Sequence, residues 1–566
     1  MIKKERFGDK KGEKMKKNRI GTLSVMTLLC VAVLAACGKE DSDIQQDEFE
    51  YEESYEDDME ADAWEDEDEA GAYDAGEEYG EATTEAIFMM NDAYNAYKEE
   101  VTSDPVRQKE VTPVNTVIKG EDSEDSMDIC TIELGDRRMQ YSMEIIGDPD
   151  DDGLYPLYIT LHGGGESTPE ENNSQWVSMM TYYRDSVTNG IYVAVRGMED
   201  VWNLHFLDDS YPMYDRLIED MIMFENADPN RVYLLGFSAG GDGVYAVAPR
   251  MADRFAAANM SSGHPNDVSL LNTSNLPFEI QVGIRDYYSD TALRSIRGAE
   301  FEDTLNEYSR TFGFGYPHRV LVHVPEGHNY NDNFDVTEEF IEMYGLQDED
   351  PALLKSNVLK DPSEFASRAV KEDWLDQFLK VLARTGSDPN VSALSYDSPD
   401  GFNEAIFKYV TEDLNMEVTD EEDTNAVRYV NSFTRDPVPP MIVWDLTTRA
   451  PKRKDTAFYW LKADNSVDQG LIKAVYDKAE NKVYLEVEDE PNGEIKLLAT
   501  PGLMDFDRPL TVETDKGEFT VDLKADKDII NASIRETGDM NLAWADEIEV
   551  DLGDGVIQSI TEPSPD

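Results

Sequence analysis

Arg231-Val-Tyr-Leu-Leu-Gly-Phe-Ser-Ala-Gly-Gly241 is the stretch from which the rest of this chain is read. Val232 to Leu235 is a short apolar, partly β-branched run and predicts a buried strand. Gly236-Phe237-Ser238-Ala239-Gly240 follows without a break, a G-x-S-x-G pattern. A serine hydroxyl is a poor nucleophile until a base takes its proton, so it must project where an imidazole can reach it. A sharp strand-to-helix turn does that, and glycines at 236 and 240 relieve the crowding such a turn creates. The helix that follows would aim its N-terminal N–H groups at the same spot. A pattern this short also arises by chance, so the partners must come from elsewhere in the chain.

Outward from that turn, apolar runs alternate with helical segments. Tyr158-Ile-Thr-Leu161 predicts a strand running into His162-Gly163-Gly164-Gly165-Glu166. Glycines there let a backbone N–H face a substrate oxygen with no side chain between them. A glycine-rich turn can also cradle phosphate, but no Lys-Ser or Lys-Thr follows. Tyr192-Val-Ala-Val195 reads as a further strand, and Tyr214 to Phe224 has helical periodicity. Downstream, the strands are Phe255 to Met260, Phe278-Glu-Ile-Gln-Val282 and Arg319-Val-Leu-Val-His-Val324. They run into Ser261-Ser-Gly-His264, Gly283-Ile-Arg-Asp286 and Pro325-Glu-Gly-His328 respectively. This alternation predicts an α/β fold with a mostly parallel sheet flanked by helices. In such sheets sites form beyond the carboxyl ends of the strands. Ser238, Asp286 and His328 each sit just past one.

Leu161-His-Gly-Gly-Gly-Glu166, Gly236-Phe-Ser-Ala-Gly-Gly241, Gly283-Ile-Arg-Asp286 and Gly327-His328 together resemble the α/β-hydrolase superfamily. The branch is that of secreted esterases similar to polyhydroxybutyrate depolymerases and feruloyl esterases. The resemblance covers roughly residues 125–335. It implies Ser238 as nucleophile, His328 as base and Asp286 as its orienter. It implies an oxyanion hole from the N–H groups of Gly163 or Gly164 and of Ala239. The expected activity is hydrolysis of carboxylic esters, plant or microbial polysaccharide-linked esters among them, with no cofactor and no metal. Asp290 and Asp332 are competing acids, and His264 is a competing base on a loop after an earlier strand. His162 reads as structural, and His318 and His323 as strand or loop residues. Two other functions stay open: a serine peptidase of the same fold, and a binding lipoprotein that keeps the scaffold without turnover.

The 566 residues allow two or three domains, and 28 Tyr and 21 Phe suffice for a sizeable core. A net charge of −70 argues against nucleic acid, or an anionic membrane surface, as the main partner. Residues 1–36 read as a signal peptide, with a Lys- and Arg-rich start and an apolar stretch from Ile20 to Ala36. Met15 could equally be the translation start. Leu34-Ala-Ala-Cys37-Gly38 resembles a bacterial lipobox, which implies a lipidated Cys37 and a chain anchored to the outer face of a cell membrane without spanning it. Residues 37–82 are dominated by Asp and Glu and read as an extended spacer. Cys130 is then a lone cysteine, read as a small strand residue.

Residues 83–435 form the expected catalytic domain. Ile87, Met90, Tyr94, Tyr97 and Val101 predict an opening helix, and Gly135-Asp136 a hairpin turn between Met127–Glu133 and Met139–Ile146. Asp148, Asp150 and Asp152 begin a calcium-loop pattern, but its twelfth position is Ile159, so a solvent turn is expected. Residues 340–435 read as a helical insertion, either a lid over the site or a surface elaboration away from it. From residue 436 to 566 alternating runs such as Met441 to Leu446, Ala457 to Leu461 and Val483 to Val487 predict a β-sandwich. Trp444, Tyr459 and Trp460 there are core aromatics or a polysaccharide platform. Arg449, Lys452, Arg453 and Lys454 read as a solvated basic loop.

Overall fold

Parallel strands covered by helices on both faces need apolar residues at nearly every position. β4 (Tyr155–Leu161), β5 (Gly190–Val195) and β6 (Ala227–Phe237) have that character, with Leu157, Ile159, Val193 and Leu234 fully buried. The computed structural model describes residues 79–550 apart from 267, 287–292, 331–355, 370–405, 422, 455 and 490. The signal segment, Cys37, the acidic run up to residue 78, Asp290 and Asp332 lie outside the described residues.

The parallel set continues through β7 (Ala257–Ser261), β8 (Phe278–Gly283) and β9 (His318–Val324). Antiparallel strands extend it at both edges. On one side are β1 (Val114–Lys119), β2 (Glu124–Leu134) and β3 (Arg137–Ile146), with the hairpin turn at Gly135-Asp136 as expected. On the other are β10 (Ser356–Leu359) and β11 (Val418–Glu421). Among the described residues the sheet has 11 strands, in the order β1-β2-β3-β5-β4-β6-β7-β8-β9-β10-β11.

Helices connect and cover the strands: α1 (Glu81–Ser103), α2 (Pro105–Glu110), α3 (Pro169–Tyr182), α4 (Ser210–Glu225), α5 (Ala239–Val247), α6 (Arg294–Phe312), α7 (Pro362–Ala369) and α8 (Ala426–Asn431). Their ends are written locally. Thr168 accepts from the Glu171 N–H ahead of Pro169, which starts α3. α4 stops at Asn226, whose backbone is left-handed at φ 56°. From α1, Met90, Tyr94, Tyr97 and Val101 are buried, as their spacing predicts.

The connection order fixes where a site can form. β4 leads through α3 to β5 on one side, and α4 then carries the chain back across β4 to β6. This reversal opens a crevice at the carboxyl ends of β4 and β6, where Leu161 and Gly236 are direct partners.

The described residues of 340–435 include the helices α7 and α8 and a helical turn at Tyr409–Asp413, and they also hold two strands that the helical reading lacks. These are β10 and β11, which lie antiparallel beside β9. Four-residue strands are too short to show a period, which is why the sequence hides them.

Among the described residues after 436 there are two further sheets. One has five strands: β12 (Met441–Asp445), β15 (Leu471–Asp477), β16 (Lys482–Glu488), β18 (Leu510–Thr514) and β19 (Gly517–Val521). The other has four: β13 (Ala457–Phe458), β14 (Leu461–Ala463), β17 (Ile495–Ala499) and β20 (Asp546–Val550). The run Ala457 to Leu461 is therefore two strands joined at Tyr459, where φ is 54°. A helix, α9 (Lys527–Thr537), interrupts the strands and is capped by Asp526. Trp444, Tyr459 and Trp460 are all buried, and the Trp444 ring stacks on Phe458 at 5.6 Å, so they are core.

The basic cluster is not a solvated loop. The guanidinium of Arg449 lies over Trp444 and donates to the carbonyls of Ala463, Asp464 and Val467. Arg453 is buried against Asp215 of α4 and Asp253, and Lys452 reaches Asp209. Of the four, only Arg453 is drawn inward by acidic partners; Lys452 and Lys454 stay exposed. Among the described residues no helix is long and apolar enough to cross a membrane.

Candidate active site

Ser238 follows β6 directly and has φ 58° and ψ −119°, a conformation that a non-glycine residue adopts only under constraint from its surroundings. The constraint is the tight passage from strand into α5. A Cβ on Gly240 would stand 1.9 Å from the Leu161 carbonyl oxygen, and one on Gly236 2.3 Å from the Gly240 oxygen. Neither position can hold a side chain, so the elbow requires both glycines.

His328 and Asp286 arrive from the neighbouring pair of strands. Gly283 of β8 and His323 of β9 are register partners, and Asp286 and His328 lie a few residues beyond them. His328 Nδ1 is 2.8 Å from Asp286 Oδ2, and His328 Nε2 is 2.9 Å from Ser238 Oγ. With the carboxylate as acceptor, the imidazole proton sits on Nδ1, leaving the Nε2 lone pair for the serine hydroxyl. Asp286 is buried, and Arg294 at the start of α6 stands 3.5 Å from its other oxygen. Phe237 packs against the His328 ring at 5.3 Å.

The glycine turn after β4 completes the cluster. A Cβ on Gly163 would lie 3.3 Å from Ser238 Cβ, so this backbone borders the serine. Gly165 donates its N–H to Asn172 Oδ1. The N–H groups of Gly163, Gly164 and Ala239 donate to nothing among the described residues. They are free for an anionic oxygen beside Ser238, with Ala239 at the N-terminus of α5.

The other histidines are occupied elsewhere. His162 accepts the Gly197 N–H on Nε2 and faces its neighbour's carbonyl with Nδ1, and burial pushes it well below its ordinary pKa. His205 donates to the His162 carbonyl, and burial lowers it to about 4. Both are neutral scaffolding under the glycine turn, as expected for His162. His264 accepts the Asn266 N–H on Nδ1 and closes a local turn, while Ser238 is met by His328 instead. His318 opens β9 and His323 lies buried within it. Cys130 is buried, and burial raises its thiol to about 11, which keeps it protonated.

Asp150 of the calcium-like turn pairs with Arg231 and accepts from Asn189. Among the described residues no cluster of His, Cys, Asp and Glu is arranged to hold a metal ion.

Sequence reasoning missed Asn172. It is fully buried on α3, and its amide bonds both the N–H and the carbonyl of Gly165 as well as Asp200. Asp200 in turn meets Arg196, which follows β5. An asparagine near a helix start carries no signal of such a role. Trp202, half exposed and edge-on to Phe206, borders Gly165.

No family model matches the chain, and no curated protein does. Among solved structures it is similar to a thermostable esterase, at 19% identity over 48% of this chain and 70% of that one, with a TM-score of 0.27. It is also similar to a ferulic acid esterase (15% identity, 36% and 90% covered, TM-score 0.25) and to Est1E from Butyrivibrio proteoclasticus (12% identity, 39% and 98% covered, TM-score 0.25).

Proposed function

We propose that the chain is a serine esterase of the α/β-hydrolase type, held on the outer face of a cell membrane by a lipid on Cys37. The observation that carries the reading is the hydrogen-bonded series from Asp286 through His328 to Ser238. Ser238 Oγ attacks the ester carbonyl while His328 Nε2 takes its proton. The charge that develops on the carbonyl oxygen is received by the N–H groups of Ala239 and of Gly163 or Gly164. Asp286 holds the tautomer and stabilises the imidazolium that forms. His328 returns the proton to the leaving alcohol, and water then releases the acid by the same steps in reverse order.

The acidic run from Cys37 to residue 78 acts as a spacer between anchor and enzyme, since its composition cannot bury a core. We read the described residues between 436 and 550 as a β-sandwich fused to the enzyme; their Trp444, Tyr459 and Trp460 are buried where a polysaccharide platform would need exposed aromatics. The test is hydrolysis by the purified protein of a panel of acetyl, butyryl and feruloyl esters and of peptides. Turnover of esters alone is expected. Turnover of peptides alone would make the enzyme a peptidase, and no turnover of any would leave a binding protein.

A further inference from the structure

His328 lies on an irregular loop, yet its ring must hold two hydrogen bonds at once. The first half of that loop is gripped by Arg285, whose N–H donates to the Glu326 carbonyl at 3.0 Å and whose Nε donates to that of Pro325 at 2.5 Å. Gly327 then offers a pivot with no side chain to resist turning.

The second half is gripped from another direction. Ser262, just past β7, donates its hydroxyl to the His328 carbonyl at 2.8 Å. Ser262 is fully buried and its φ is 52°, a left-handed backbone that a serine adopts only where its surroundings impose it. Tyr330 lies 3.1 Å from the same hydroxyl and donates its own proton to the Gln281 carbonyl of β8 at 2.5 Å. The Tyr330 ring stacks on His323 at 4.2 Å with 13° between planes. His323, held neutral by burial, is itself bonded to the Gln281 side chain. A strained serine and a stacked tyrosine thus tie the loop to two strands of the sheet.

We propose that Ser262 and Tyr330 are positioning residues for His328, pinning its main chain so that the imidazole keeps both partners. The inference rests on the esterase reading. Neither residue touches the reacting atoms. Without them the loop pivots at Gly327, and a shift of about 1 Å at the base costs on the order of 10² in rate.

The test uses full-length Ser262→Ala and Tyr330→Phe, the second of which keeps the stacked ring, with Ser238→Ala alongside. Turnover of p-nitrophenyl acetate, the melting temperature and the low-field proton resonance of the His328–Asp286 hydrogen bond are measured. Each positioning variant should lose roughly ten- to a hundredfold in kcat with KM unchanged, and its low-field resonance should weaken. The melting temperature should stay near that of the wild type. Wild-type kcat in both variants overturns the proposal. So does a loss of kcat that comes with a lowered melting temperature and an intact resonance, since that is a structural effect alone. If Ser238→Ala also turns over normally, the esterase reading itself has failed, and the proposal falls with it.

Discussion

Asn172 holds the peptide units of Gly165 from both ends: its amide oxygen accepts the Gly165 N–H and its nitrogen donates to the Gly165 carbonyl, each at 3.0 Å. A Cβ on Gly164, whose φ is 106°, would stand 2.1 Å from that same amide oxygen. The turn that frees the Gly163 and Gly164 N–H groups is therefore moulded on one side chain. Asn172→Ala should lower kcat by about 10² on an ester substrate, through misdirected N–H donors. It should also cost about 1–3 kcal/mol of stability, because buried groups lose their partners. Steady-state kinetics with a urea melt check both, and an unchanged kcat would free the turn from dependence on Asn172.

Asp242, in the first turn of α5, is partly buried, and its desolvation raises its carboxyl to about 6. A raised acid favours the folded state below the unfolded pKa near 4, and that advantage is lost as pH rises through about 6. Asp242→Asn keeps an acceptor for the His264 N–H, which lies 2.6 Å away. The variant should therefore gain on the wild type by on the order of 2–3 kcal/mol between pH 4 and pH 7. Denaturant midpoints at the two pH values measure this. An equal difference at both would contradict the assignment.

Arg453 leaves only 3% of its side chain exposed and faces Asp253, which is 1% exposed. Arg453→Ala abandons that carboxylate in the interior and should destabilise by about 3–5 kcal/mol. Lys452 is half exposed, and Lys452→Ala should stay within about 0.5 kcal/mol of wild type. Equal effects in a thermal melt would show that the junction does not depend on buried pairing.

Cys37→Ser tests the anchor. If Cys37 carries the lipid, the variant should leave the membrane fraction for the medium. Unchanged fractionation would refute lipidation at this position.

Legibility in the sequence followed chemistry more than location. The strands from Tyr158 to Val324 were readable because both faces are covered and apolar residues dominate their runs, even where buried Glu279 and Gln281 interrupt β8. That Ser238, Asp286 and His328 come together was readable because each follows a strand of the parallel set. Asn172, Ser262 and Tyr330 were not, because their roles depend on backbone groups seven to some seventy residues away that no local pattern announces. Arg453 misled for the opposite reason: four basic residues close together look solvated until Asp215 and Asp253 are seen beside them. β10 and β11 were too short to read, and Tyr459 broke one apparent strand into two.

In the mechanism proposed above, His328 activates Ser238. The most direct measure of that activation is the rate at which a fluorophosphonate labels the protein, with the adduct mapped by mass spectrometry. One adduct is expected, on Ser238, with labelling slowed by on the order of 10⁴ in a folded His328→Ala variant. An adduct on a different serine, or labelling of His328→Ala at the wild-type rate, would contradict it.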